Sequence, residues 1–129
     1  MMRLLVSGSR KITLSKWERI WQKIRSLNPS VIIHGGAIGV DKIANGYAHK
    51  NKMPVIVRKP DYEKYGRRAP IVRNQEMVHL ADTVLIVYEK TITAGTATTL
   101  KMARTRGKIV HILDLNQEEQ VIQVNMFEK

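Results

Sequence analysis

Residues 31–41 read Val31-Ile32-Ile33-His34-Gly35-Gly36-Ala37-Ile38-Gly39-Val40-Asp41. Three β-branched residues, bounded by Pro29-Ser30 before and glycine after, describe a short strand buried on both faces. Beyond the glycines, Ile43, Ala44, Tyr47 and Ala48 recur at helical spacing, which predicts a helix from about Val40 to Lys50. Strand, glycine turn and helix make one unit, and the rest of the chain repeats it.

Upstream, Leu4-Leu5-Val6 is a buried strand that stops at Ser7-Gly8-Ser9-Arg10. Trp17, Ile20, Trp21, Ile24 and Leu27 then form an amphipathic helix, with Thr13 or Ser15 as its cap and Asn28-Pro29-Ser30 as its stop. Downstream, residues 54–57 predict a third strand. The polar stretch 58–68, RKPDYEKYGRR, lacks apolar periodicity and reads as a mobile basic loop. Ala69-Pro70 opens a third helix, with Ile71, Met77, Val78 and Leu80 on its apolar side. Residues 83–87 predict a fourth strand. Thr93-Ala94-Gly95-Thr96 leads into a fourth helix that runs to about Arg106 and stops at Gly107. Residues 109–113 predict a fifth strand. The tail 121–127 alternates weakly and reads as an added edge strand or an oligomer contact, so a homo-oligomer is expected.

Short apolar strands alternating with helices imply parallel pairing and helices on both sheet faces. The expected fold is α/β: one Rossmann-like three-layer domain over residues 1–129, with a mainly parallel sheet of about five strands. Ligands of such sheets bind at the carboxyl ends of the strands, near the point where strand order reverses. The glycine turns fall at those ends.

The 129 residues contain no cysteine, which excludes disulfides and thiolate metal sites. His34, His49, His79 and His111 share no metal-ligand spacing, and no metal or other cofactor is expected. No apolar run is long enough to span a membrane, and MMRLLVSGSR does not read as a signal peptide, so a cytoplasmic setting and no membrane partner are expected. The net charge of +11 is uneven. Residues 1–60 carry 12 Lys or Arg against Glu18 and Asp41, a balance of +10; the remainder balances at +1. Such a field attracts anionic ligands or polyanions, or simply solubilises the surface. With 5% aromatic residues, the aromatic interleaving usual in single-strand binders is weak.

A phosphate needs close backbone approach, free N–H donors and a helix N-terminus. Gly8-Ser9-Arg10, Gly35-Gly36-Ala37 with Gly39, and Gly95-Thr96 offer these at three strand ends, with the Ser9, Thr96 and Thr98 hydroxyls as further donors. Arg10 is placed to clamp a phosphate or carboxylate, or is a solvated loop residue. Asp41 in the first turn of its helix favours the dipole, or accepts a hydrogen bond from a ligand or a basic loop residue. Arg73-Asn74 is either an exposed helix face or a fixed polar pair. There is no G-x-x-x-x-G-K-[ST], no G-x-G-x-x-G and no G-x-S-x-G. His34 stands where a dinucleotide-binding strand would end in an acid.

These residues, with Tyr65-Gly66, Met77 and Ala81-Asp82, resemble the SLOG superfamily, and most of all its small stand-alone YspA-like branch, related to YpsA. The resemblance spans residues 4–113. It implies a Rossmann-like fold that binds nucleotides or their derivatives, with Gly8, Ser9, Arg10, Gly35, Gly36, Asp41, Arg73, Asn74, Gly95 and Thr96 lining the site. The related Lonely Guy phosphoribohydrolases carry P-G-G-x-G-T-x-x-E with a catalytic glutamate, whereas here Thr99 takes that position. A threonine hydroxyl cannot activate water or stabilise a cationic sugar as a carboxylate does. Asp41 and Glu89 are the acids that remain as substitutes.

Three functions follow. The first is a sensor, sequestering or carrier module for a nucleotide-like small molecule. The second is a hydrolase acting on an N-glycosidic or phosphate-ester bond, with the basic loop 58–68 closing over substrate. The third is single-stranded nucleic-acid binding, which the charge and a resemblance to the DNA-processing protein A family suggest.

Overall fold

The computed structural model describes residues 1–118; the tail assigned to an edge strand or oligomer contact lies outside the described residues. Five strands, β1 (Arg3–Gly8), β2 (Val31–His34), β3 (Val55–Val57), β4 (Thr83–Tyr88) and β5 (Ile109–Asp114), form one parallel sheet in the order β3-β2-β1-β4-β5. The order reverses between β1 and β4. The helices are α1 (Trp17–Leu27), α2 (Val40–Lys50), α3 (Tyr62–Tyr65), α4 (Ala69–Leu80) and α5 (Ala94–Thr105).

Alternation along β1 sorts the core into two halves. Leu4 and Val6 pack with Ile20 and Ile24 of α1 and with Val40, Ala44 and Tyr47 of α2. Leu5, on the other face, packs with Met77 and Val78 of α4 and Ala103 of α5. Both faces of the three inner strands are therefore covered, which is why β1, β2 and β4 carry continuous buried apolar runs rather than alternating ones. Among the described residues, no helix is long and apolar enough to cross a membrane.

Helix α1 forms where its periodicity predicts. Trp21 packs edge-on against Trp17 (4.9 Å between centroids) and Tyr47 (5.7 Å), and its indole N–H donates to the Ile43 carbonyl. Asn28 ends the helix in the left-handed region at φ 51°. A single 3₁₀ turn, Leu14–Lys16, precedes it, and no side chain caps α1. Neither Thr13 nor Ser15 does so; the Thr13 hydroxyl instead donates to Glu89.

The basic stretch 58–68 is not an irregular loop. Asp61 accepts from the Lys64 N–H and caps the one-turn helix α3, and a 3₁₀ turn, Gly66–Arg68, joins it to α4. One helical turn is too short to generate an apolar stripe, so periodicity could not reveal it.

Candidate functional site

The carboxyl ends of β1, β2 and β4 open on a cleft of about 580 Å³ at the strand-order reversal. A second groove of about 690 Å³ lies between α1 and β5, lined by Arg19, Lys23, Tyr88 and Asp114 among others. It is larger, but it is more open and contains none of the residues singled out from sequence.

Of those residues, Gly8, Ser9, Arg10, Gly35, Ala37, Asp41, Arg73, Asn74, Gly95 and Thr96 line the first cleft. Gly36 and Gly39 do not. Gly36 lies beside Val57 and Lys59. Gly39 has φ 80°, and a Cβ there would stand 2.5 Å from the Ser9 and Arg10 carbonyls. Its role is to let α2 start directly beneath the loop after β1, where the Val40 N–H donates to the Ser9 carbonyl at 3.1 Å.

The loop after β2 departs most from its sequence reading. It is not an open cradle of N–H donors. The Gly35 and Ala37 N–H groups both donate to Asp41 Oδ2, each at 3.1 Å, and the Gly36 N–H donates to His34 Nδ1 at 2.9 Å. The proton of His34 therefore sits on Nε2, which donates to Asn45 Oδ1 at 2.9 Å. Three donors that looked available are spent on holding the loop. Asp41 is 8% exposed; burial raises its carboxyl above the usual range, while the two amides and Arg73 pull the other way.

Arg73 and Asn74 are a fixed polar pair rather than an exposed helix face. Arg73 Nε donates to Asn74 Oδ1 at 2.7 Å, and its Nη1 donates to the Gly35 carbonyl at 3.3 Å. A Cβ on Gly35 would fall 2.7 Å from that guanidinium nitrogen, so the glycine admits the brace. Burial pulls the Arg73 guanidinium down and neighbouring Asp41 pushes it back up.

Donors remain at the start of α5. Thr93 caps the helix: its Oγ1 accepts from the Thr96 N–H at 3.4 Å and donates to Thr96 Oγ1 at 3.1 Å. The Thr96 hydroxyl hydrogen is left for another acceptor. The first-turn N–H groups of Ala94 and Gly95 have no partner within the helix. No acid stands in this first turn. Arg10, Lys11 and Lys90 line the same cleft, and none of them makes a side-chain ion pair among the described residues. Thr98 adds nothing, because its hydroxyl donates back to the Ala94 carbonyl. Thr99 is 1% exposed and its hydroxyl donates to the Gly95 carbonyl at 3.2 Å.

Glu89, one of the two acids that remained as substitutes for the missing glutamate, is committed to other partners. Its carboxylate accepts from the Thr13 N–H, the Thr13 hydroxyl and Lys16 Nζ. The Lys16 ammonium leads these in holding the carboxyl down at about 2, against an ordinary 4.5. The group ties the β1–α1 loop to the end of β4. Its depressed pKa stabilises the fold fully above about pH 4.5, and that contribution disappears as pH falls toward 2. Asp82, held low by the Arg3 backbone, and Asp114, held low by the Asn116 backbone, act in the same direction. Comparison with Glu89→Gln isolates the first. Urea midpoints of the two proteins are expected to differ at pH 6 and to converge between pH 4.5 and 2. A difference that stays constant through that window would show that Glu89 carries no such linkage.

A parallel α/β sheet with helices on both faces and a ligand-sized cleft at its switch point defines a Rossmann-like domain. Its first half, residues 2–65, matches the YspA, cpYpsA-related SLOG family, and the chain belongs to that family. It is 32% identical over 116 residues to the Gene 61 protein of Mycobacterium phage D29, covering 83% of this chain and 92% of that protein. In fold it resembles DNA processing protein A from Streptococcus pneumoniae, with a TM-score of 0.70 and 20% identity over 87% of this chain. The chain spans half the length of that protein.

Proposed function

We propose that the cleft binds a nucleotide or nucleotide-derived ligand, with a phosphate against the N-terminus of α5 and the base directed out past the end of β1. The observation that carries this reading is the acid-free first turn of α5, with Arg10, Lys11 and Lys90 around the same cleft. A helix N-terminus and unpaired cations favour an anion, and the Thr96 hydroxyl adds a donor. The volume suits a small ligand. Membership of the SLOG family supports a nucleotide-related role.

The cleft is built to hold rather than to hydrolyse. Thr99 stands where the related Lonely Guy phosphoribohydrolases carry their catalytic glutamate, and it is bonded into its own helix. Glu89 is committed to Thr13 and Lys16, and a carboxylate held at about 2 is a poor base near neutrality. A sensor or carrier role fits these groups best. Single-stranded nucleic acid is the second reading, favoured by the +11 charge and by the likeness to a DNA processing protein. Its affinity would fall steeply with salt.

Calorimetry with the four ribonucleoside 5′-monophosphates and with a single-stranded oligonucleotide separates the readings. Saturable one-to-one binding of a monophosphate is expected. Absence of binding at millimolar ligand would remove the nucleotide reading. Oligonucleotide binding with no monophosphate binding would favour the second.

A further inference from the structure

Asp41 and Asn74 are cleft residues that are nine-tenths buried and each carry a side-chain nitrogen or oxygen with no hydrogen-bond partner among the described residues. Each is 8% exposed. Both amide bonds to Asp41 fall on Oδ2, so Oδ1 has no partner among the described residues. In Asn74, Oδ1 is taken by Arg73 Nε, which fixes the amide's orientation and leaves the Nδ2 hydrogens without an acceptor. Among the described residues, no fully buried polar side-chain atom lacks a partner. These two atoms are therefore reached by solvent, and the cleft is where both residues meet it. An unbroken chain of bonds, Asn74 to Arg73 to Gly35 to Asp41, holds them on one wall.

We infer that Asp41 Oδ1 and Asn74 Nδ2 form a subsite for the sugar hydroxyls of a ribonucleotide. It rests on the nucleotide reading above. One acceptor-only atom and one donor-only atom match vicinal hydroxyls, of which the 2′-hydroxyl donates to the carboxylate and the 3′-hydroxyl accepts from the amide. Position agrees with chemistry. The α5 turn follows β4, Asp41 follows β2, and β1 lies between them. At ~4.8 Å per strand these ends are roughly 10 Å apart, so a sugar attached to a phosphate at α5 lies over β1 and faces the β2 side. A hydroxyl hydrogen bond to a carboxylate is charge-assisted, and so is among the stronger contacts a neutral sugar group can make. The cleft therefore selects ribose over 2′-deoxyribose.

The test compares adenosine, guanosine, cytidine and uridine 5′-monophosphates with their 2′-deoxy counterparts by calorimetry on the wild-type protein. The best ribonucleotide is expected to bind about tenfold or more tighter than its deoxy partner, the scale of one such contact. Asp41→Asn keeps an oxygen for the Gly35 and Ala37 amides but turns the cleft atom from acceptor to donor. The 2′-hydroxyl hydrogen then has no acceptor, and the ribo and deoxy forms are expected to bind the variant with equal affinity. Equal affinity of ribo and deoxy forms for the wild type overturns the inference and leaves the phosphate reading standing. So does an Asp41→Asn variant, folded by circular dichroism, that keeps the preference. If no monophosphate binds, the nucleotide reading falls and the subsite falls with it.

Discussion

Gly8→Ala is expected to lower the thermal midpoint by on the order of 10–20 °C. Gly8 ends β1 opposite Val87 of β4, and an alanine Cβ would stand 1.9 Å from the Val87 carbonyl oxygen and 2.9 Å from its carbon. Both are backbone atoms of a central strand, so no side chain can turn away. The strands must separate, and the Ser9 N–H to Val87 carbonyl bond of 3.1 Å lies in the path. Overpacking of this kind costs ~1–3 kcal/mol and the lost bond about 1 more. Against a total stability on the order of 5–15 kcal/mol that is a large fraction, and the shift in midpoint follows from the usual scaling with domain size. Gly95→Ala is the matched control, because nothing lies within 4 Å of a Cβ there. It is expected to hold or slightly raise the midpoint. Equal midpoints for Gly8→Ala and wild type would contradict the close approach of β1 to β4.

Gly95→Asp is expected to abolish phosphate binding while leaving the fold intact. The position is open and lies in the first turn of α5. A carboxylate there complements the helix dipole, worth about 0.3–1 kcal/mol, and replacing glycine also narrows the unfolded ensemble. Stability should therefore be kept or rise. The same carboxylate would occupy the end of the cleft where an anionic ligand is placed. Like-charge juxtaposition costs several kcal/mol, so affinity for a nucleoside monophosphate should fall about a hundredfold or more. The paired outcome is the informative one: a stable protein that has lost its ligand. Unchanged affinity would move the phosphate away from α5.

Glycine has different duties at these positions, and the sequence does not distinguish them. Gly8 and Gly35 are there for close packing, Gly39 for both its backbone angle and close packing, and Gly95 lies open at a helix start. The strand and helix order was legible because apolar runs and helical spacing are local signals. So was the location of the cleft, which follows from parallel pairing and the reversal of strand order. Long-range bonds were not legible. Thr13 looked like a helix cap, but Glu89, 76 residues later, claims both its N–H and its hydroxyl. Gly35-Gly36-Ala37 looked like free donors, but Asp41 and His34 take all three N–H groups. Asn74 looked mildly misplaced in a helix, and there the local signal did point to a fixed polar role, which Arg73 supplies.

A nucleotide phosphate at the start of α5 perturbs the amides of that turn first. Backbone amide NMR of the 14.8 kDa protein during titration with a ribonucleoside 5′-monophosphate reads this residue by residue. The largest shifts are expected at Ala94, Gly95 and Thr96, with Arg10 and Lys11 following, and the same titration of Gly95→Asp should leave those resonances in place. Shifts concentrated instead at Arg19, Lys23 and Asp114, in the groove between α1 and β5, or no shifts at millimolar ligand, would contradict it.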